Sequence, residues 1–320
     1  MLNLARQRIL ITGGHGFLGR HLIRRIEQLR PQELRWPNRK ECDLLDPANC
    51  RRAVENIDLV IHAAAKVGGI EANRAAPGEF FYENALMGIQ LLEAARQAGV
   101  KKFVQIGTVC EYPQEIEQLP YREEDLWFGY PEATNGPYGM SKKTLLVHGQ
   151  AYRQQYALNV IHLLLTNLYG PGDHFGQKDA HVIASLIDRF AKAKQQGVPE
   201  VVCWGTGSPT REFLYVEDAA EGIIKAAEHY DGAEPINLGS GQEISIRYLA
   251  DLIAEQFGYT GRITWDTSKP DGQPRRSFDS SKAKKQFAFT AKTRFPDGLT
   301  NTIAWYKELV APKKKALPQY

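Results

Sequence analysis

The sequence predicts an α/β fold: a doubly wound parallel sheet carrying a smaller α/β lobe towards the C-terminus. Three observations lead there. Short β-rich apolar runs alternate with stretches of helical periodicity through the first half of the 320-residue chain, as strands joined by crossover helices require. A glycine-rich turn at Gly13, Gly16 and Gly19 falls between the first run and the first helical stretch. The alternation loosens after Tyr169-Gly170-Pro171, where irregular crossovers and a second unit are expected.

Arg8–Thr12 reads as the first strand, after which Leu18, Leu22, Ile26 and Leu29 recur at helical spacing. Leu59–Ala63, Lys102–Ile106 and Val160–Leu165 read as further strands, with helices over Asn84–Ala98 and Ser141–Gln155. A helix near Val182–Lys194 and a short strand near Val201–Trp204 follow. The helix Val216–His229 and the strand Pro235–Leu238 return to the main sheet, whereas Ile244–Phe257, Arg262–Trp265 and the tail belong to the second unit. The units therefore interleave, with 1–170 and 213–243 in one and 171–212 and 244–320 in the other.

Composition excludes several classes of function. A net charge of +3 with 43% hydrophobic residues provides no basic field for nucleic acid. The run Lys313-Lys314-Lys315 reads as a solvated tail. Cys42, Cys50, Cys110 and Cys203 lack paired metal-ligand spacing, so neither a metal site nor a disulfide is expected. Without a leader or an apolar run of bilayer length, the expected home is the reducing cytoplasm.

The stretch Thr12-Gly13-Gly14-His15-Gly16-Phe17-Leu18-Gly19 sets its glycines at G-x-x-G-x-x-G between a strand and a helix. Glycine lets backbone turn tightly against a pyrophosphate, which rests on the positive end of the helix. Gly13, Gly16, Phe17, Leu18 and Gly19 are therefore candidate contacts of a nicotinamide dinucleotide, and the first unit is a Rossmann-type dinucleotide-binding domain. After the second strand come Arg35, Arg39 and Lys40, with no carboxylate until Glu41. That favours NADP, whose 2′-phosphate an arginine accepts, although the same residues fit a solvated loop. Asp43 and Leu44 are placed for the adenine edge, and Asp43 fits a helix cap equally.

Tyr138 and Lys142 stand one helical turn apart in Tyr-Gly-Met-Ser-Lys. A fixed ammonium beside a phenol is expected to lower its pKa and fit it to donate a proton to a carbonyl receiving hydride. Thr108 ends a predicted strand at the carboxyl edge of the sheet, where its hydroxyl either bonds a substrate carbonyl or satisfies backbone.

Longer strings carry a resemblance. Ala63 to Ile70 with Asn73 and Asn84, Glu132 to Asn135, Asn167 to Pro171, His181-Val182-Ile183, Trp204 to Gly207, Arg211-Glu212-Phe213 and Lys269 to Gly272 with Pro274-Arg275 resemble the extended short-chain dehydrogenases. Within them they are most similar to the GDP-L-fucose synthase family. That resemblance implies epimerisation of a GDP-linked 4-keto sugar at both carbons flanking the ketone, reduction by NADPH, a homodimer, and a nucleotide-sugar site in the second unit. It makes Cys110 and His181 the acid/base pair beside Thr108, Tyr138 and Lys142. Taken from the residues alone, Cys110 also fits a small buried side chain, and His181 a helix cap.

The resemblance adds Ala64, Lys142 and Asn167 to the cofactor contacts. Asn167, Trp204, Arg211, Lys269 and Arg276 become substrate contacts, although Trp204 fits a core position and Arg275 competes with Arg276. Another GDP-linked 4-keto sugar, such as a heptose, and a non-catalytic dinucleotide sensor are the rival readings. Departures from the family pattern are Thr108 for serine, His15 where some members carry arginine, Glu111 in an apolar position, and Ala184 for proline.

Overall fold

The computed structural model describes residues 1–116, 118–176, 180–269 and 271–311; the lysine run at 313–315 and Pro270 lie outside them. The chain opens with β1 (Arg8–Thr12), α1 (Phe17–Gln28), β2 (Glu33–Arg35), α2 (Pro47–Ala53), β3 (Leu59–His62), α3 (Ile70–Ala75) and α4 (Pro77–Gln97). It continues through β4 (Lys102–Thr108), α5 (Gly136–Tyr156), β5 (Asn159–Leu165), β6 (Asn167–Tyr169), α6 (Val182–Gln196), β7 (Glu200–Trp204), β8 (Thr210–Tyr215) and α7 (Val216–His229). Then come β9 (Ile236–Leu238), β10 (Glu243–Ser245), α8 (Ile246–Phe257), β11 (Arg262–Asp266), β12 (Arg275–Arg276), α9 (Ser281–Phe287) and α10 (Phe295–Val310).

Six strands form one parallel sheet in the order β2-β1-β3-β4-β5-β9. The chain winds outward from β1 to β2 and then back past β1 to β3, so a crevice opens at the carboxyl ends of β1 and β3. Helices cover both faces, which is why the strands are continuous apolar runs: Ile9, Leu10, Ile11, Leu59, Val60 and Ile61 are all buried. Leu22 and Ile26 of α1 with Ile223 and Ala227 of α7 pack on one face, and Val54, Leu91 and Ala95 on the other. At roughly 1.5–3 kcal/mol for each large apolar side chain fully buried, these layers fix the helix starts that frame the crevice.

A separate core joins Ile187 and Phe190 of α6, Leu249 and Ile253 of α8, and Leu299 and Ile303 of α10. Its strands are the set β10-β8-β12, with β6 also paired to β8, and the parallel pair β11-β7. Phe287 at the end of α9 and Phe289 cross back to pack in the first core.

Two helices begin earlier than their periodicity predicts. Pro77 starts α4 well before Asn84, and Pro137 lies in the first turn of α5 ahead of Ser141; proline suits a helix start because its missing N–H is not needed there. The second shift places Tyr138 in the first turn of α5. Among the described residues, all four cysteines are free thiols, no cluster of metal ligands occurs, and no helix is long and apolar enough to cross a membrane.

Candidate active site

The glycine turn leaves no room for side chains. Gly13 has φ +72°, and a Cβ on it would come within 2.7 Å of the Ala64 nitrogen. A Cβ on Gly19 would sit 2.1 Å from the Gly13 carbonyl oxygen. Gly16 N–H closes the turn onto Gly13 O at 2.9 Å, and α1 then starts with no side-chain cap. The N–H groups of Phe17, Leu18 and Gly19 thus have no intrahelical acceptor, a cradle that fits a dinucleotide pyrophosphate. The segment after Ala64 is held by two asparagines. Asn84 Oδ1 accepts Lys66 N–H at 2.8 Å, and Asn73 Nδ2 donates to Gly68 and Gly69 carbonyls at 2.9 and 3.0 Å.

At the adenine end the candidates separate. Arg35 is tied down, donating to the Glu55 carbonyl at 2.8 Å and pairing with Glu33. Arg39 remains 70% exposed, with loose contacts of 3.6 Å to Glu83 and 3.9 Å to Asp43. Asp43 does not cap α2, because Asp46 does so through Ala48 N–H at 2.8 Å. The Leu44 side chain is core rather than ligand-facing, so its expected contact reduces to backbone. A cavity of about 300 Å³ beside this loop is lined by Arg35, Trp36, Cys42 and Arg52.

The chemistry gathers at the end of β4. Thr108 caps the 3₁₀ turn Val109–Glu111: its hydroxyl accepts Cys110 N–H at 3.3 Å, and its own N–H donates to the Glu111 carboxylate at 2.9 Å. Hydroxyl and thiol therefore share one tight turn. The first turn of α5 packs directly on it, since a Cβ at Gly139 would lie 2.0 Å from the Cys110 carbonyl oxygen. The Glu132 carboxylate sets the entry to α5 by accepting Thr134 and Asn135 N–H at 3.0 and 3.1 Å. Phe80 meets the Tyr138 ring edge-on at 6.4 Å.

One expectation is corrected here. Burial pushes the Tyr138 phenol up, with Cys110 and Glu111 adding to the shift. Lys142 is itself buried and pushed down to about 8, against the pull of Glu111. Its ammonium donates to the Ile106 carbonyl at 3.1 Å. Desolvation dominates, and the phenol stays protonated at neutral pH. Lys142 loses its proton as pH rises through about 8, so kcat/KM for ketone reduction should fall on that alkaline side. A profile measured from about pH 6 to about pH 10 that stays flat would contradict this.

His181 is the exposed N-cap of α6 and makes no side-chain capping bond, so the capping alternative does not account for it. Asp173 is buried nearby: burial raises its pKa, and the His174 N–H, held at 2.7 Å, and the charge of His181 oppose that. Among the described residues His181 shares no hydrogen bond with Cys110 or Tyr138.

Arg211 of β8 and Arg276 of β12 are direct partners across parallel strands. Burial, then the charge of Arg276, pulls the Arg211 guanidinium down to about 10. Two cations forced together in this way fit an anion with paired oxygens. Arg275 is committed to Glu243 at 2.6 Å, whereas Arg276 donates to Gln273. Tyr121 N–H bonds Ser277 O, and Asp279 N–H bonds Tyr121 O, both at 2.8 Å, tying this segment to the loop that leads into α5. Trp204 is 59% exposed, so the core alternative fails. The Lys269 ammonium lies 5.8 Å from its ring centre. Asn167 commits its amide nitrogen to the Glu212 carbonyl at 3.0 Å.

The family model for NAD dependent epimerases and dehydratases matches residues 9–239, a span that includes both the glycine turn and the Tyr138–Lys142 helix. The chain belongs to the NAD dependent epimerase/dehydratase family. It is 40% identical over 301 residues to GDP-L-fucose synthase 1 of Arabidopsis thaliana, covering 93% of each chain. A GDP-L-fucose synthetase from Naegleria fowleri, solved with NADP bound, superposes with a TM-score of 0.85 at 29% identity over 96% of each chain. A GDP-6-OMe-4-keto-L-xylo-heptose reductase from C. jejuni gives 0.89 at 26% identity over 95% of this chain and 99% of that one.

For this epimerase/dehydratase chain, the sequence reading passed over three residues that shape the site. Glu132 was readable only as part of a string, although a carboxylate two residues before Thr134 fits a turn that captures backbone N–H groups. Asp173 gave no signal because its partners are set by a loop. Arg52 lies on α2, far along the chain from the glycine turn, and only the packing of α2 brings it to the cavity beside Arg35 and Trp36.

Proposed function

We propose that this chain epimerises GDP-4-keto-6-deoxy-D-mannose at both carbons flanking the ketone and reduces the ketone with NADPH to give GDP-L-fucose. The observation that carries the reading is the single turn that sets the Cys110 backbone on the Thr108 hydroxyl and against the start of α5, with its thiol close enough to help raise the pKa of the Tyr138 phenol. A simple ketone reductase needs the hydroxyl, phenol and ammonium but has no use for that thiol. The 40% identity to the Arabidopsis synthase supports the choice of sugar.

Gly13, Gly16, Phe17, Leu18, Gly19 and Ala64 would hold the pyrophosphate of NADP, Arg39 its 2′-phosphate, Asp43 and the Leu44 backbone its adenosine, and Lys142 and Asn167 the nicotinamide side. NADPH, when bound, supplies hydride to the ketone carbon. Tyr138 gives its phenolic proton to the ketone oxygen as the carbonyl π pair moves there, and the resulting phenolate is balanced by the Lys142 ammonium. During epimerisation, one of Cys110 and His181 takes a proton from a carbon beside the ketone, and that electron pair moves into the enolate. The other returns a proton on the opposite face. The hydroxyls of Thr108 and Tyr138 hold the enolate oxygen throughout.

Arg211 and Arg276 take the diphosphate, with Trp204 and Lys269 at the nucleoside end. Arg211→Ala is expected to raise KM for the nucleotide sugar roughly tenfold to a hundredfold at nearly constant kcat, since a bond to a charged group contributes about 1.5–3 kcal/mol. A fall in kcat with unchanged KM would remove Arg211 from substrate binding.

The reading keeps 1–170 and 213–243 as the dinucleotide domain and 171–212 and 244–320 as the nucleotide-sugar domain, with α9 docked back onto the first; two separate cores support this. Exposed Phe81, Tyr82 and Ile89 on α4 and Val147 on α5 support a homodimer through those helices. Four free thiols support a reducing cytoplasmic home. The likeness to the C. jejuni reductase favours, as second reading, a GDP-linked 4-keto heptose as substrate. Incubation with GDP-4-keto-6-deoxymannose and NADPH, followed by NMR of the product, separates the two. GDP-L-fucose with solvent deuterium at both flanking carbons is expected, and reduction without exchange at either carbon would sink the epimerase assignment.

A further inference from the structure

Beneath the Thr108–Cys110 turn a polar row crosses the sheet. Thr12, His62, Gln105 and His162 are successive partners in the register of β1, β3, β4 and β5. All four are buried, and the residues preceding them in the strands, Ile11, Ile61, Val104 and Ile161, are buried and apolar. Polar groups in such a layer are costly unless paired. The row ends on Glu111, a fully buried carboxylate.

Both Glu111 oxygens lie 3.1 Å from His162 Nε2, and one of them accepts the Thr108 N–H at 2.9 Å. The other ring nitrogen, Nδ1, faces Gln105 Oε1 at 3.3 Å. A carboxylate can only accept, so His162 Nε2 carries the hydrogen and donates it to Glu111. Gly107 keeps the space open: a Cβ there would come 2.3 Å from His162 Nε2 and 2.5 Å from Glu111 Oε1. Buried polar pairs cost desolvation that apolar side chains of the same size would not. Holding geometry is the better reason for one directly under a reacting group.

We propose that the buried, hydrogen-bonded Glu111–His162 pair is a positioning device for the Cys110 thiol. It anchors the Thr108 N–H, and through the Thr108 hydroxyl it fixes the Cys110 N–H and the direction of the turn. Tyr138 and Lys142 sit on α5 and are held by Phe80 and by the Ile106 carbonyl, outside this chain of bonds. Thr108 lies within it and serves both steps, whereas Cys110 serves exchange alone, so losing the pair should injure proton exchange at the sugar ring more than reduction. The inference rests on the functional reading above.

Two measurements on the full-length protein test it. Nitrogen-15 NMR of labelled histidine should show the His162 hydrogen on Nε2, and an Nε2 without hydrogen overturns the pair even where variants fold poorly. Glu111→Gln keeps the shape and an acceptor for Thr108 N–H. It should slow ring-proton exchange in heavy water on the order of tenfold to a hundredfold, as small misplacements of reacting groups do. Reduction of an already inverted 4-keto sugar should fall at least about threefold less than exchange, with the melting temperature recording the cost of leaving His162 without its carboxylate. His162→Gln should repeat this pattern. Equal losses in both assays, or undiminished exchange, overturn the positioning role. Failure of the wild-type protein to exchange either ring proton would instead overturn the functional reading, and this inference with it.

Discussion

Replacing Tyr138 by phenylalanine is expected to lower NADPH-dependent ketone reduction by about 10²–10⁴-fold, the range for a lost general acid, and to slow ring-proton exchange as well. The reasoning starts from burial. The phenol is held above its ordinary pKa by desolvation, with Cys110 and Glu111 adding to that, so it is a proton donor at rest. Reduction needs a proton at the ketone oxygen as hydride arrives, and exchange needs a donor there while the enolate exists. One hydroxyl serves both. Phenylalanine keeps the edge-on contact with Phe80 and the position of the first turn of α5, so the fold should be unaffected. Parallel assays of NADPH oxidation and of deuterium uptake check this, with the melting temperature as control. Normal reduction by the variant would take the phenol out of the mechanism, and loss of reduction alone would leave the enolate to Thr108.

How far such a site is legible in a sequence depends on what each residue's neighbours are. The main sheet was readable because its strands are buried on both faces and its helices on one, so apolar periodicity reports them directly. Its cofactor turn was readable for a related reason: Gly13 and Gly19 are glycines because backbone atoms occupy the space of any side chain. Tyr138 and Lys142 were legible as neighbours, but their electrostatics were not. Helical spacing says that two groups are adjacent; it does not say that both are desolvated, and desolvation reversed the expected shift of the phenol.

The second lobe was harder to read for a geometric reason. β12 is only Arg275–Arg276, too short for any pattern, yet pairing with β8 is what sends Arg275 to Glu243 and sets Arg276 beside Arg211. Trp204 read more readily as core, because a tryptophan ending an apolar run on β7 looks like any buried strand residue; it shares the exposed face of β7 with Val202, opposite buried Val201 and Cys203. Glu111 stood out in the sequence as an acidic residue in an apolar position. Its partner, His162, lies on β5 and could be found only once the strands were in register.

Cys110→Ser is expected to separate the two halves of the reaction. The turn should survive, because what holds it is the Cys110 N–H on the Thr108 hydroxyl and the Cys110 carbonyl against Gly139, all backbone on the cysteine side. What changes is the acid/base group alone. A thiol ordinarily titrates near pH 8.5 and exchanges protons in both directions near neutrality, whereas an alcohol hardly ionises there. Deuterium uptake at the ring carbons should therefore fall by about 10²-fold or more, in the range for loss of a positioned acid or base. Reduction of a ketone supplied already inverted requires only Thr108, Tyr138 and Lys142 and should stay within about threefold. Comparison with Glu111→Gln then reports what the buried pair contributes: if the thiol acts through its place on the turn, the double variant should exchange no more slowly than Cys110→Ser alone. A further loss in the double variant would show Glu111 acting on exchange by a route that bypasses the cysteine.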